Sequence, residues 1–168
     1  RQFPAFSPDK LLNAIALAPI YTGIDTSIKA LHDIATALEI SISWFFPAPS
    51  VKSASSESDI VVRKENRRVL RFGDGIRDEL LSPNLGTELE LLSCHFEPGA
   101  NSGNSPYSHD SEEAGVVVFG QINLWVDDIL YQLKEGDSFQ FDSRRPHRYT
   151  NNGKTEAHVI WAITPPTY

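Results

Sequence analysis

The sequence of 168 residues has no methionine, a single cysteine and no long apolar run. The missing methionine leads us to expect that the sequence is a piece of a longer translated chain. One cysteine, Cys94, excludes an internal disulfide and is typical of a cytoplasmic protein. A membrane-spanning helix needs about 20 consecutive apolar residues, and no secretory signal pattern stands at the start. We therefore expect no membrane association.

The sequence also lacks a basic region. Its formal net charge is −7, with four basic and five acidic residues in 1–58 and eleven basic and seventeen acidic residues in 59–168. Nucleic-acid binding depends on clustered lysine and arginine that neutralise phosphates. Charge alone therefore indicates no DNA-binding surface in either part of the chain.

A stretch rich in serine and proline divides the chain. Residues 47–58 (PAPSVKSASSES) cannot build a core, and their composition is that of a linker. Residues 1–46 are predicted to be helical, because apolar residues recur at helical spacing from Ile28 to Phe45. The sequence thus predicts a helical segment (1–46), a linker (47–58) and a second domain (59–168).

The second domain has the pattern of short strands separated by turn signals, without helices between them. This pattern predicts a mainly β fold, an antiparallel sandwich or barrel. The candidate strands are Ile60–Val62, Arg67–Phe72, Glu88–Phe96, Gly115–Phe119, Ile122–Val126, Ser138–Phe141 and Ala157–Ile163.

Histidine, glutamate and glycine recur in this domain at a defined spacing. Three residues separate His109 from Glu113, six more separate Glu113 from Gly120, and three separate His147 from Asn151. The pattern resembles the two motifs of the cupin superfamily. The resemblance implies a cupin barrel, a double-stranded β-helix, with a small-molecule or metal site in its interior.

Two imidazoles and a carboxylate that converge in a barrel can hold a divalent metal such as Zn, Fe, Mn or Ni and leave positions open. The family's first motif has a further histidine where this sequence has Tyr107. A phenol, with a pKa near ~10, is a poor metal ligand at neutral pH. Two alternatives stay open: a metal held by His109, Glu113 and His147, or direct hydrogen bonds from these residues to an organic ligand.

Strand alternation predicts which residues face this site. If Glu113 faces inward, then Gly115, Val117 and Phe119 face inward as well, and His147 begins a later strand that could pair beside them. Tyr149 and Trp161 could line the pocket or belong to the ordinary core. The predicted ligand-binding residues are Tyr107, His109, Glu113, His147, Tyr149 and Trp161.

A second resemblance covers residues 25–46. The run TSIKALHDIATALEIS (26–41), followed by Phe45-Phe46, resembles the last helices of the lambda-repressor-like (XRE-type) helix-turn-helix domain. The DNA-reading helices of such a domain should lie before these, but residues 1–24 do not show their pattern. This segment is therefore either a partial helix-turn-helix domain or a helical bundle that packs against the barrel or a partner chain.

The order of parts resembles bacterial transcriptional regulators that join a helix-turn-helix, a linker and a C-terminal cupin domain. Residues 109–120 (HDSEEAGVVVFG), residues 136–147 (GDSFQFDSRRPH) and a closing Thr-Pro-Pro carry this resemblance. It implies a cytoplasmic, homodimeric DNA-binding regulator whose barrel senses a small-molecule effector, without a catalytic role. The alternatives are a metal-dependent enzyme, such as a dioxygenase or isomerase, and an interaction module with a barrel filled by side chains.

Overall fold

The computed structural model describes residues 60–72, 75–83 and 87–166. The predicted helical segment (1–46) and linker (47–58) lie outside the described residues. Within the described part, no helix has the length and apolar character needed to cross a membrane.

Nine antiparallel strands form two sheets. The larger sheet has the order β1-β2-β3-β9-β4-β7, and the smaller has the order β6-β5-β8. A single 3-10 turn, Lys64–Asn66, is the only helical element in the described part of the chain. The prediction of a mainly β fold is confirmed. The strands are β1 (Arg68–Phe72), β2 (Ile76–Leu80), β3 (Glu90–Phe96), β4 (Glu112–Phe119), β5 (Gln121–Val126), β6 (Ile129–Lys134), β7 (Ser138–Asp142), β8 (His147–Thr150) and β9 (Ala157–Thr164).

The core lies between the inward faces of the two sheets. Every second residue of β9 from Ala157 to Ile163 is buried, as strand geometry requires for one face of a sheet. Ile122, Leu124 and Val126 of β5 join the same buried cluster from the smaller sheet. The two faces therefore enclose one interior, and inward positions on either sheet can meet there.

Three strand predictions need correction. The candidate at Ile60–Val62 is wrong, because these residues pair with no described strand and Ile60 is 80% exposed. The sequence pattern does not predict β2. Its three central residues, Arg77, Asp78 and Glu79, are all charged, so apolar and polar residues do not alternate along it. The pattern also misses β6, of whose residues only Leu133 is partly buried and packs against the core.

Phe119 does not face inward as predicted. Its side chain is 51% exposed, whereas Val117 is buried. The pairing of β4 with β9 shifts register between Val117 and Phe119, as at a β-bulge, which reverses the faces of the residues that follow. The chain then turns at Gly120, where φ is +77° and a Cβ would lie 2.6 Å from the carbonyl oxygen of Glu156. Glycine is required there by both conformation and space.

Asn151, the end of the second predicted motif, has a structural role. It is fully buried. Its Nδ2 donates to the carbonyl oxygens of Phe96 (2.9 Å) and Thr155 (2.8 Å), and its Oδ1 accepts from the backbone N–H of Gly153 (2.8 Å). One side chain thus joins the loop of residues 151–155 to the end of β3 at Phe96.

We expect Asn151→Ala to lower the free energy of unfolding by about 2–4 kcal/mol, because buried backbone groups lose their partners. Asn152→Ala is the matched control. Asn152 is exposed and only accepts a hydrogen bond from Thr150 Oγ1, so its loss should change stability by less than about 1 kcal/mol. Urea unfolding measures both variants, and equal effects would contradict this role for Asn151.

Candidate ligand and metal site

His109, Glu113 and His147 converge in the barrel interior. Glu113 lies on β4 in the larger sheet, His147 begins β8 in the smaller sheet, and His109 lies in the loop before β4. Glu113 Oε1 is 2.7 Å from His109 Nε2 and 3.3 Å from His147 Nε2. His147 therefore does not pair beside β4. It approaches Glu113 from the facing sheet.

Backbone contacts orient the imidazole of His147. Its Nδ1 lies 2.9 Å from the carbonyl oxygen of Arg145, which can only accept, so Nδ1 carries a proton. In the neutral ring, Nε2 then carries a lone pair. Nε2 of His147 and Oε1 of Glu113 do not form a hydrogen bond of acceptable geometry. Two acceptor atoms that face each other at this distance need a proton or a metal ion between them.

Trp161 contacts the centre of the site. Its Nε1–H donates to Glu113 Oε2 at 2.7 Å, in a buried hydrogen bond. One carboxylate oxygen of Glu113 therefore contacts the indole, and the other contacts the two imidazoles. Burial acts to raise the pKa of Glu113, but the close imidazoles of His109 and His147 outweigh it and hold the pKa well below its ordinary value. The buried carboxylate is thus ionised.

Tyr107 and Tyr149 form the adjoining wall. Tyr107 exchanges two backbone hydrogen bonds with His147 (3.0 and 2.9 Å), and their rings lie 4.3 Å apart. Burial raises the pKa of the Tyr107 phenol well above its ordinary value, so it stays protonated and supplies no anionic ligand. Tyr149 hydrogen-bonds to Tyr107 through its side chain, and its ring lies 5.0 Å from that of Trp161. The six residues predicted from the sequence thus lie in one region.

The donor set fits a divalent metal. One ligand atom from each of His109, Glu113 and His147 lies within 4.8 Å of the others, and no other described residues form such a group. Two imidazoles and a carboxylate suit Zn, Fe, Mn or Ni. The Arg145 carbonyl fixes the tautomer of one histidine, as outer partners do at metal sites. These three residues would hold the ion, which would supply a Lewis acid.

Two acids that sequence reasoning missed also lie in the interior. Asp78 on β2 is 6% exposed and Glu90 on β3 is 0% exposed. Burial raises the pKa of Asp78 to about 7. Burial, and next the charge of Asp78, raise the pKa of Glu90 to about 8. Among the described residues, no hydrogen-bond partner is found for either carboxylate oxygen of Glu90 or for Oδ1 of Asp78.

The comparisons with known proteins confirm the fold. Residues 92–163 match the Cupin_2 family, described as a cupin domain. An RmlC-like cupin from Shewanella frigidimarina is 24% identical, covers 63% of this chain and 90% of that chain, and superimposes with a TM-score of 0.55. The predicted cupin barrel is therefore correct.

Two further relatives match most of the chain. The HTH-type transcriptional regulator PuuR of Escherichia coli (strain K12) is 25% identical over 147 residues, which are 86% of this chain and 76% of PuuR. The structure of an HTH_3 family transcriptional regulator from Vibrio cholerae has a TM-score of 0.62 at 22% identity and covers 91% of this chain and 80% of that chain. The similarity to helix-turn-helix regulators thus extends beyond the barrel.

Proposed function

We propose that the protein is a transcriptional regulator whose cupin barrel binds a small-molecule effector at the site around Glu113. The similarity to PuuR, which continues outside residues 92–163, supports the regulator. The effector site is supported chiefly by one observation: a buried, ionised carboxylate between two imidazoles of separate loops and strands. In this proposal, residues 1–46 contribute to DNA binding and the barrels pair as a cytoplasmic homodimer.

The effector would act by favouring one state of the regulator. A ligand shifts an equilibrium only by its differential affinity for the two states. Glu113 and His147 lie on different sheets, so a molecule that contacts both senses the relative position of the sheets. The role of His109, Glu113 and His147 is to orient that molecule, either directly or through a metal ion that they hold.

Melting temperature and DNA affinity test the proposal together. A panel of amines, amino acids and small carboxylates is screened for a rise in melting temperature, with and without Zn²⁺ or Mn²⁺. DNA is selected from a random duplex pool by the intact, full-length regulator. We expect at least one compound to stabilise the protein and to change DNA affinity by about fivefold or more.

Two variants serve as controls for this test. Glu113→Gln should abolish the response to the compound while DNA binding persists. His95→Ala should leave both unchanged, because His95 lies on β3 outside the interior site, against Glu156. A flat response over the whole panel, or an unchanged response in Glu113→Gln, would contradict effector binding at this site.

A metal-dependent enzyme is the second candidate, and the same three side chains favour it. Elemental analysis of the purified protein separates the two candidates. Stoichiometric metal together with turnover of a substrate would favour the enzyme. A regulator predicts that the ligand changes DNA affinity without being consumed, which chromatography of the recovered ligand would detect.

A further inference from the structure

Two histidines lie against each other on the outer side of the larger sheet. His95 of β3 and His158 of β9 are directly paired in the antiparallel register, and the neighbours of His95, Cys94 and Phe96, are buried in the core. The two rings are stacked, with centroids 4.4 Å apart and an angle of 8° between their planes. We call His95 and His158 the histidine stack. Directly opposite side chains of antiparallel strands interact, so this contact bears on the pairing of β3 with β9.

One hydroxyl group contacts both rings of the histidine stack. Ser93 Oγ lies 2.8 Å from His158 Nε2 and 3.3 Å from His95 Nε2, and Ser93 is 3% exposed. The other ring nitrogen of His95, Nδ1, lies 3.1 Å from Glu156 Oε1. A hydroxyl has a single hydrogen to donate. Ser93 therefore donates to one of the two Nε2 atoms, and the other ring donates to Ser93.

These contacts are all satisfied when both rings are neutral. The carboxylate of Glu156 only accepts, so His95 carries its proton on Nδ1 and has a lone pair at Nε2. The Ser93 hydroxyl donates to that lone pair and accepts a hydrogen bond from Nε2–H of His158. The series from His158 to Glu156 thus pairs one donor with one acceptor at each contact.

Added protons disturb this arrangement. A proton on Nε2 of His95 faces the hydrogen of the Ser93 hydroxyl, which must then turn away in a buried position. A further proton on His158 places two positive rings 4.4 Å apart, and like charges at this distance repel. On the side of β4, His158 is paired with the uncharged Phe119. Burial, and next the charge of His95, lower the pKa of His158.

Charged side chains reach the histidine stack from two directions. On β2, Arg77 is paired in register with His95 and forms an ion pair with Glu79, which also binds Arg67. Glu79 therefore already has two cationic partners. In the loop before β9, Glu156 contacts His95, but its side chain is 51% exposed. Solvent screens the charge of Glu156, so it offsets the repulsion between two protonated rings only in part.

We propose that the histidine stack is a pH-sensitive switch, which holds β3 against β9 when both rings are neutral and loosens this pair of strands in mild acid. The switch lies outside the site around Glu113 and does not depend on the proposed function. His158 takes up a proton more readily once its ring is free in water. The support from the stack is therefore complete above the ordinary histidine pKa, near ~6.5, and is lost as the pH falls below it. Because β3 and β9 are the central strands of the larger sheet, loosening them weakens the sheet as a whole.

NMR of the intact protein follows the two rings and the two strands separately. The ring resonances are titrated from about pH 8 to about pH 5, on either side of the ordinary histidine pKa. Amide hydrogen exchange at both ends of this range, corrected for the intrinsic rate, measures the opening of β3 and β9, with β5 and β8 as the internal reference. The variants are His158→Gln and His95→Gln, whose amides can hydrogen-bond to Ser93 but take up no proton. Gln140→Ala is the control, because Gln140 is an exposed polar residue on β7 of the same sheet.

We expect His158 to titrate below the ordinary histidine pKa, and at a pH higher by about 0.5 or more once His95 is replaced by glutamine. In acid, the amides of β3 and β9 near the stack should exchange about threefold or more faster relative to the reference strands. Both glutamine variants should lose this acceleration, and Gln140→Ala should keep it. Equal acceleration in the unmodified protein and the glutamine variants would overturn the proposal. So would an ordinary titration of His158 in the unmodified protein, a result that requires no variant to fold.

Discussion

Replacing Glu113 by alanine should lower the free energy of unfolding by about 3–5 kcal/mol, because the change removes one partner of a buried ionic cluster. The Nε1–H of Trp161 would lose its acceptor, and the imidazoles of His109 and His147 would lose the carboxylate that they contact. Loss of side-chain volume adds a cavity between the sheets. Urea unfolding of the metal-free protein measures the change.

Glu113→Gln separates charge from shape in the same position. The amide oxygen can still accept from Trp161, and the amide N–H₂ can donate to an imidazole. We expect Glu113→Gln to lower the free energy of unfolding by less than about half as much as Glu113→Ala does. It should still lose the affinity for a divalent metal or effector, because that affinity depends on the negative charge. If alanine and glutamine destabilise the protein equally, the hydrogen bond from Trp161 contributes nothing measurable.

The ligand-free protein should become less stable as the pH rises from about 4 to about 8, through the effect of Asp78 and Glu90. The pKa values of both acids are raised by burial, to about 7 and about 8 in the folded protein. The folded state therefore retains protons that the unfolded state has released, and unfolding is favoured as the pH increases. The stabilising contribution is complete below the unfolded pKa values, near ~4, and is lost once the folded pKa values are passed.

The double variant Asp78→Asn, Glu90→Gln isolates this effect from other titrating groups. Subtracting its stability profile from that of the unmodified protein should leave a decline of several kcal/mol between about pH 4 and about pH 8. The pKa of each acid lies about three units above its unfolded value, and each pKa unit corresponds to about 1.4 kcal/mol. Chemical unfolding at fixed pH values gives both profiles. A flat difference curve, or one that rises with pH, would show that these acids are ionised in the ligand-free interior.

The sequence predicts the barrel and the residues around Glu113 because their signals are local. His109 and Glu113 are only four residues apart. His147 begins β8, and Asn151 follows the end of the same strand. The contact from Trp161 to Glu113 joins residues 48 positions apart. It depends on the register of β4 against β9, which no local pattern reveals.

The buried position of Asp78 is not predicted from the sequence for a related reason. Asp78 stands between two charged neighbours, so β2 reads as a turn or an exposed loop. Only the pairing of Ile76–Leu80 with β3 shows that the middle acid faces inward. Local rules tend to fail where a protein keeps an energetically unfavourable group, and the buried carboxyl of Asp78 is such a group.

The division of the central cluster between two sheets has a mechanical consequence. Glu113 belongs to the larger sheet and His147 to the smaller, and a backbone bridge from Tyr107 joins His147 to the loop that precedes β4. A ligand or metal ion that links the carboxylate to the imidazole would join the two sheets in the interior of the barrel. A bound ligand or metal ion would restrain the loop and both sheets at once. It would therefore reduce motion in parts of the barrel that it does not contact.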